Sequence, residues 1–346
     1  MPPKSTAKSS KDHLPNQMVI SMVAAVAIAH LLNDLIQAVL PAIYPMLKIE
    51  FNLSFSQIGL IALIYQITAS LLQPFVGLYT DRHPLPYLLP VGMSITLVGI
   101  TVMAFATHFY ILLLAAVLVG IGSSTFHPEA SRVVRMASGG RFGTAQSAFQ
   151  VGGNSGSAIG PLLAALIIVP NGKSAVAWFT GFALLAIFIL FRVSRWLIQQ
   201  AQQPKKQSAI QHTGLKGILL YRALGVIGIL MLVKFTYIAS ISNYYTFYLM
   251  ERFSLSLVQS QVYLFAFLAA VALGTFAGGP IGDKIGRSAV IWVSFLGIIP
   301  FALVLPYVNL MWTAILSIMI GLVISSAFSA MVVYAQEAMP GRVGLV

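Results

Sequence analysis

Gly77-Leu-Tyr-Thr-Asp81-Arg82 and Gly279-Pro-Ile-Gly-Asp283-Lys284 stand 202 residues apart, each at the polar end of a long apolar run. Two further pairs keep the interval. Ser123-Ser124-Thr-Phe126 recurs as Ser325-Ser326-Ala-Phe328 after 202 residues, and Gly140-Arg141-Phe-Gly143 recurs as Gly341-Arg342-Val-Gly344 after 201. Three matches in order at one offset mark a tandem duplication. Each copy contains several apolar runs, so the duplicated unit is a helical bundle and the two copies run the same way.

The solvent of those bundles follows from composition. Of 346 residues, 58% are hydrophobic and 8% charged, with a mean hydropathy of +0.88. Soluble domains carry roughly 25% charged residues, so this chain has too few to cover a water-facing surface. Lipid accepts apolar side chains outward, provided the backbone is satisfied within helices. The expected class is an all-α membrane protein. The net charge of +12 sits in short stretches between apolar runs, with no basic stripe, so nucleic acid is not expected as a partner. No cysteine is present, which excludes disulfides, thiolate metal sites and cysteine catalysis. No zincin pattern appears, and neither a metal nor a cofactor is expected.

A spanning helix needs about 20 apolar residues. Spans are predicted near 17–47, 56–80, 87–106, 109–134, 142–169, 174–197, 217–249, 258–280, 288–307 and 309–335, ten in all. The first follows Lys4, Lys8 and Lys11 but is too long and too polar for a signal h-region. Assigned to alternating sides, sixteen Lys and Arg fall on the side of the N-terminus and three (Lys48, Lys173, Arg252) on the other, with Lys234 inside a span. The positive-inside rule then places both termini and the basic linker in the cytosol. The expected organisation is a tail (1–16), a six-helix bundle (17–197), a linker (198–216) and a bundle of four helices (217–346). The first copy continues for two helices past Gly140-Arg141-Phe-Gly143. The second stops two residues after its counterpart, so the repeat predicts two more helices and leaves this chain with about ten of twelve. Without them, loose coupling is the expectation.

Two parallel six-helix halves joined by a basic linker, with G-x-x-x-D-(R/K)-x-G-(R/K) after the second helix of each, resemble the major facilitator superfamily of transporters. The second copy fits through Gly279, Asp283, Lys284, Gly286 and Arg287. The first keeps Gly77, Asp81 and Arg82 but has Pro84 and Leu85 in place of the later Gly and base. Gly152, Gly156, Gly160 and Pro161 in helix five are similar to the glycine-proline motif of that superfamily's antiporters. Three stretches, His30-Leu-Leu-Asn33-Asp34, Phe126-His127-Pro128-Glu129 and Phe149-Gln150-Val-Gly-Gly153-Asn154, look like the fosmidomycin-resistance proteins, drug exporters of bacterial inner membranes. The resemblance implies a monomeric drug:proton antiporter of the inner membrane, working by alternating access on a small, anionic phosphonate-like drug. It also implies gating loops in which Asp283 meets helix five near Arg141, and Asp81 meets an eleventh helix.

Ionisable residues at a helix centre cost about 2.5–3.5 kcal/mol on the insertion scale, so each needs a reason. His30, Asn33, Asp34 and Gln37 fall at i, i+3, i+4 and i+7, one face of helix one. That face is either a hydrogen-bonded packing surface or a cavity wall where a carboxylate and an imidazole exchange a proton. In helix seven Lys234, Tyr237, Tyr245 and Tyr248 share a face. Lys234 either pairs with Asp34 or Glu129, or offers a counter-charge to an anionic substrate walled by the tyrosines. His127 and Glu129 form a second coupling candidate, with an ion pair from Glu129 to Arg132 as the plainer reading. Gln150 and Asn154, one turn apart, either line the cavity or bond between helices. Gly152, Gly156 and Gly160 recur every four residues, a close-packing signal. An enzyme would need a nucleophile–base pair or a metal cluster, and neither is legible. The remaining rivals are a non-transporting scaffold or receptor and an inactive, truncated gene product.

Overall fold

The computed structural model describes residues 17–83, 85–139, 142–201 and 217–338. They are helical in ten columns, matching the predicted spans to within a few residues. Helix one is Ile20–Ala42, continued after a break by Tyr44–Glu50. Helix two comprises Phe55–Gln66, a π turn at Ile67–Leu71 and Gln73–Arg82, and helix three is Leu88–Ala104. Helix four is Phe109–Ala137. Helix five is Phe142–Leu163 with a π turn at Ala164–Ile168, and helix six runs from the 3-10 turn Lys173–Phe179 into Thr180–Ala201. Helix seven is Ile218–Phe253, helix eight Leu257–Ile285 and helix ten Leu310–Ala338. Helix nine, expected as one piece, is split into Arg287–Leu296 and Ile299–Val304. Gly297 and Pro300 lie at the split, where a flexible backbone and a missing N–H end a helix.

Prolines explain most of the other irregularities. Pro41 and Pro45 flank the break in helix one, and Pro161 precedes the π turn of helix five. Pro74 sits just after the π turn of helix two. Each removes a backbone donor from the ladder.

The duplication is visible in atomic detail. Ser54 caps helix two in a capping box: Gln57 N donates to Ser54 Oγ at 3.2 Å and Ser54 N to Gln57 Oε1 at 2.9 Å. Ser256 and Gln259 repeat the box before helix eight at the same two distances, 3.2 and 2.9 Å. These residues also lie 202 apart, a fourth match that hydrophobic pattern alone does not single out. Such a cap contributes about 1 kcal/mol.

Between helices in lipid there is little hydrophobic driving force, so close packing has to supply the attraction. Helix five lies against helix one on its small face. A Cβ added at Gly152, Gly156 or Gly160 would come within 3.0 Å of Ala27, Leu31 or Ala38. The glycine stripe therefore faces a helix of its own half rather than the opposite half. In the second half Gly274 and Gly278 of helix eight serve the same purpose against Leu322 and Ser326 of helix ten. Buried apolar residues form one cluster built from helices one to six and a smaller one from helices seven, eight and ten, joined by Ala158 of helix five. The clusters also meet at the end of the bundle where helix one stops. There Gln261 Nε2 donates to Ala42 O at 2.7 Å, and Phe55 meets Phe247 edge-on at 5.4 Å.

Replacing Gly156 with Leu should lower stability by at least 1–3 kcal/mol, since backbone rather than a flexible side chain blocks the space. Gly181→Ala, where nothing lies within 4 Å, should leave it unchanged or slightly raised. Thermal unfolding of the detergent-solubilised variants separates the two.

Candidate functional site

The polar face of helix one gathers into a compact cluster inside the first half. His30 is 2% exposed, and its ring stacks on Phe149 with centroids 4.0 Å apart. Its Nδ1 lies 2.7 Å from the Phe149 carbonyl, and its Nε2 lies 3.2 Å from Asp34 Oδ2. A carbonyl only accepts, so Nδ1 carries a hydrogen and donates it. One further proton must then sit between Nε2 and Oδ2: two bare lone pairs at that distance would repel. The pair is either an imidazolium with a carboxylate or an imidazole with a carboxylic acid, and in both it stores one proton.

Neighbouring groups hold that pair in place. Asn33 Nδ2 donates to Asp34 Oδ1 at 2.9 Å. His127, reaching in from helix four, points Nε2 at Asp34 Oδ1 from 3.8 Å, while its Nδ1 faces the Ser123 carbonyl at 3.2 Å. The side chains of Asp34 and His127 are 16% and 29% exposed against 2% for His30. The proton is thus reached through Asp34 and His127, with His30 behind. Gln37, one turn further along, accepts from Tyr65 Oη at 2.5 Å and from Ser123 Oγ at 3.2 Å, and its buried Nε2 has no protein partner. Gly153 makes the site possible, because a Cβ there would overlap the His30 ring and lie 2.8 Å from Asp34 Oδ2. His30 Nε2, His127 Nε2 and an Asp34 oxygen lie within 4.8 Å of one another, close enough for a metal ion. Because the 3.2 Å contact already fits a shared proton, we assign no metal there.

The other candidates divide. Glu129 is 3% exposed and does not join the cluster. It pairs with Arg132 at 3.3 Å, and Arg132 also donates to Thr80 O and Oγ1 at 3.0 and 3.1 Å, tying helix four to the end of helix two. Gln150 Nε2 donates to Asn154 Oδ1 at 3.2 Å, a bond within helix five. Tyr245 is 5% exposed, packs on Phe267 and donates to Ser317 Oγ at 3.0 Å, so it is core rather than cavity wall. Tyr237 packs partly buried on the same cluster. Lys234 is 2% exposed, and among the described residues no carboxylate comes within ion-pair distance. The pairing with Asp34 or Glu129 considered from sequence is not made, because both acids are engaged within the first half.

The fold has clear counterparts. The family model of the Major Facilitator Superfamily matches residues 26–346. The chain belongs to the Major Facilitator Superfamily. It is 56% identical over 326 residues to the fosmidomycin resistance protein of Escherichia coli (strain K12), covering 94% of this chain and 80% of that one. It is 42% identical over 334 residues to the uncharacterised MFS-type transporter YfnC of Bacillus subtilis (strain 168), covering 95% and 82%. In structure it resembles a bacterial homologue of the human lysosomal transporter Spinster, inward-facing and occupied, with a TM-score of 0.70 at 16% identity over 90% of this chain and 72% of that one.

For a Major Facilitator Superfamily transporter the loops after helices two and eight are of interest. Arg141 lies outside the described residues, as do the tail 1–16 and residues 202–216 of the linker. So do the side chains of Asp81, Arg82, Asp283, Lys284 and Arg287 and the surroundings of Gly279. A Cβ on Gly77 would meet Pro128 of helix four at 3.7 Å, ordinary contact. Gly286, the later glycine of the second loop motif, has φ +91°, a backbone region open mainly to glycine.

Replacing Arg132 with Met should leave Glu129 as a buried carboxylate lacking this cation, at a cost on the order of 3–5 kcal/mol. Thermal unfolding should show a large drop for Arg132→Met and a smaller one for the double replacement with Glu129→Gln. Equal drops would mean the pair contributes through packing alone.

Proposed function

We propose that this chain is a proton-coupled exporter of a small anionic drug of the phosphonate class, residing in a bacterial inner membrane with its N-terminus in the cytosol. The observation that carries the reading is the His30–Asp34 pair, a one-proton store backed by the Phe149 carbonyl and more exposed at Asp34 and His127 than at His30. The orientation rests on the sixteen-to-three distribution of Lys and Arg. The drug class rests on similarity to a fosmidomycin resistance protein and on the buried Lys234, which has no carboxylate within ion-pair distance among the described residues.

In this mechanism residues 17–197 and 217–346 rock against each other around a midplane cavity. Contacts at the far end, Gln261 to Ala42 and Phe55 to Phe247, suit a state closed to the outside. A drug anion entering from the cytosol meets Lys234, and the His30–Asp34 pair gives up its proton through His127. After the swing outward the drug leaves and a proton returns to the pair. Asn33 holds the Asp34 carboxyl in register throughout, and Tyr65 and Ser123 fix the Gln37 amide one turn away.

Asp34→Asn cannot exchange a proton and should abolish efflux driven by an imposed pH gradient while drug binding persists. Gly153→Ala, which displaces the His30 ring, should lower the same efflux by tenfold or more. Proteoliposome transport with the full chain measures both. Undiminished gradient-driven efflux by Asp34→Asn would remove Asp34 from the coupling.

A further inference from the structure

The repeated Ser-Ser-x-Phe stretch has no role in the mechanism above, yet its last residue touches an ionisable group in each half. Phe126 and Phe328 occupy equivalent positions, 202 residues apart, in helices four and ten. The Phe126 ring lies 5.7 Å from the His30 ring. The Phe328 ring lies 4.8 Å from Lys234 Nζ, within cation–π range, and meets Phe235 edge-on at 6.2 Å. Phe235 itself lies 5.7 Å from the same ammonium but is half exposed, at 51%.

The two pockets differ in how they treat charge. In the first half His30 has a carboxylate and a carbonyl as partners. In the second half Lys234 is 2% exposed and, among the described residues, has no carboxylate at ion-pair distance, while the Phe328 and Phe235 rings lie within cation–π reach. An ammonium removed from water needs compensation. A ring face offers a partial one, because the quadrupole is negative above and below the plane. It neutralises no charge, and so leaves the ammonium free to receive an anion.

We propose that Phe328 is a positioning residue that holds the Lys234 ammonium in place by a cation–π contact, so that an anionic substrate supplies the counter-charge that no carboxylate among the described residues provides. This inference rests on reading Lys234 as the anion site. A carboxylate in place of the ring would satisfy Lys234 permanently and compete with substrate, whereas a ring stabilises the cation without blocking it. Phe126 is the corresponding aromatic in the half where a carboxylate is present.

The test uses the full chain in nanodiscs, with the phosphonate drug fosmidomycin as probe and its neutral phosphonate diester as control. Phenylalanines carrying one, two and three ring fluorines are incorporated at 328, which weakens the quadrupole stepwise at nearly constant shape. Fosmidomycin affinity should fall at each step, reaching roughly three- to thirtyfold in total, the range expected for a cation–π contact. Diester affinity should stay constant, and Phe328→Trp should retain full phosphonate affinity. A flat fluorine series with a loss in Lys234→Met overturns the clamp and leaves the anion site standing. Unchanged affinity in Lys234→Met overturns both.

Discussion

A backbone carbonyl has lone pairs and no hydrogen, so the 2.7 Å contact between His30 Nδ1 and Phe149 O commits that nitrogen to donating. Everything polar around it follows. The other ring nitrogen faces Asp34 at 3.2 Å and must share a proton with it. For the contact to exist, helix five has to bring its backbone against helix one. That requires Gly152, Gly156 and Gly160 along the seam and Gly153 beside the imidazole. Helix packing and proton storage are therefore one constraint. A side chain anywhere on that glycine face would part the helices and release His30 from the carbonyl that orients it.

The duplicated frame sets where chemistry can sit, and divergence sets what it is. Both halves start their second helix with the same Ser–Gln capping box at identical distances. Both place a phenylalanine from the fourth helix against an ionisable group on the first. At the 202-residue offset His30 and Asp34 correspond to Leu232 and Thr236, and the second half carries its ionisable group, Lys234, at the position of Leu32. The two groups need not touch: Asp34 is held by His30, Asn33 and His127, all from its own half. In the mechanism we propose, coupling between halves is then a matter of their relative movement rather than of a shared ion pair.

Much of this was legible in the sequence, for identifiable reasons. A span in lipid has no alternative to helix, so apolar length located all ten columns. Four polar residues at i, i+3, i+4 and i+7 share one helix face, so the face itself was readable, while its choice between packing and a cavity was not. Other features depend on contacts between distant segments, which spacing does not encode. Tyr245 has the offset of a cavity residue, but Ser317 and Phe267 draw it into the core. Gln150 and Asn154, open from sequence to bonds between helices, share a hydrogen bond within helix five. The direction of the helix-five glycines, toward helix one, emerges only when Ala27 and Leu31 are in place. Helix nine is broken by Gly297 and Pro300, a local signal that its uniform hydropathy hid.

The central claim is that the His30–Asp34 pair holds one proton and yields it when substrate arrives. Proton release on drug binding measures this directly: the purified full chain is mixed with fosmidomycin in weakly buffered solution containing a pH indicator. The account predicts release approaching one proton per drug bound, and none for Asp34→Asn although that variant still binds. Binding of the drug to the unaltered chain with no proton released would contradict it.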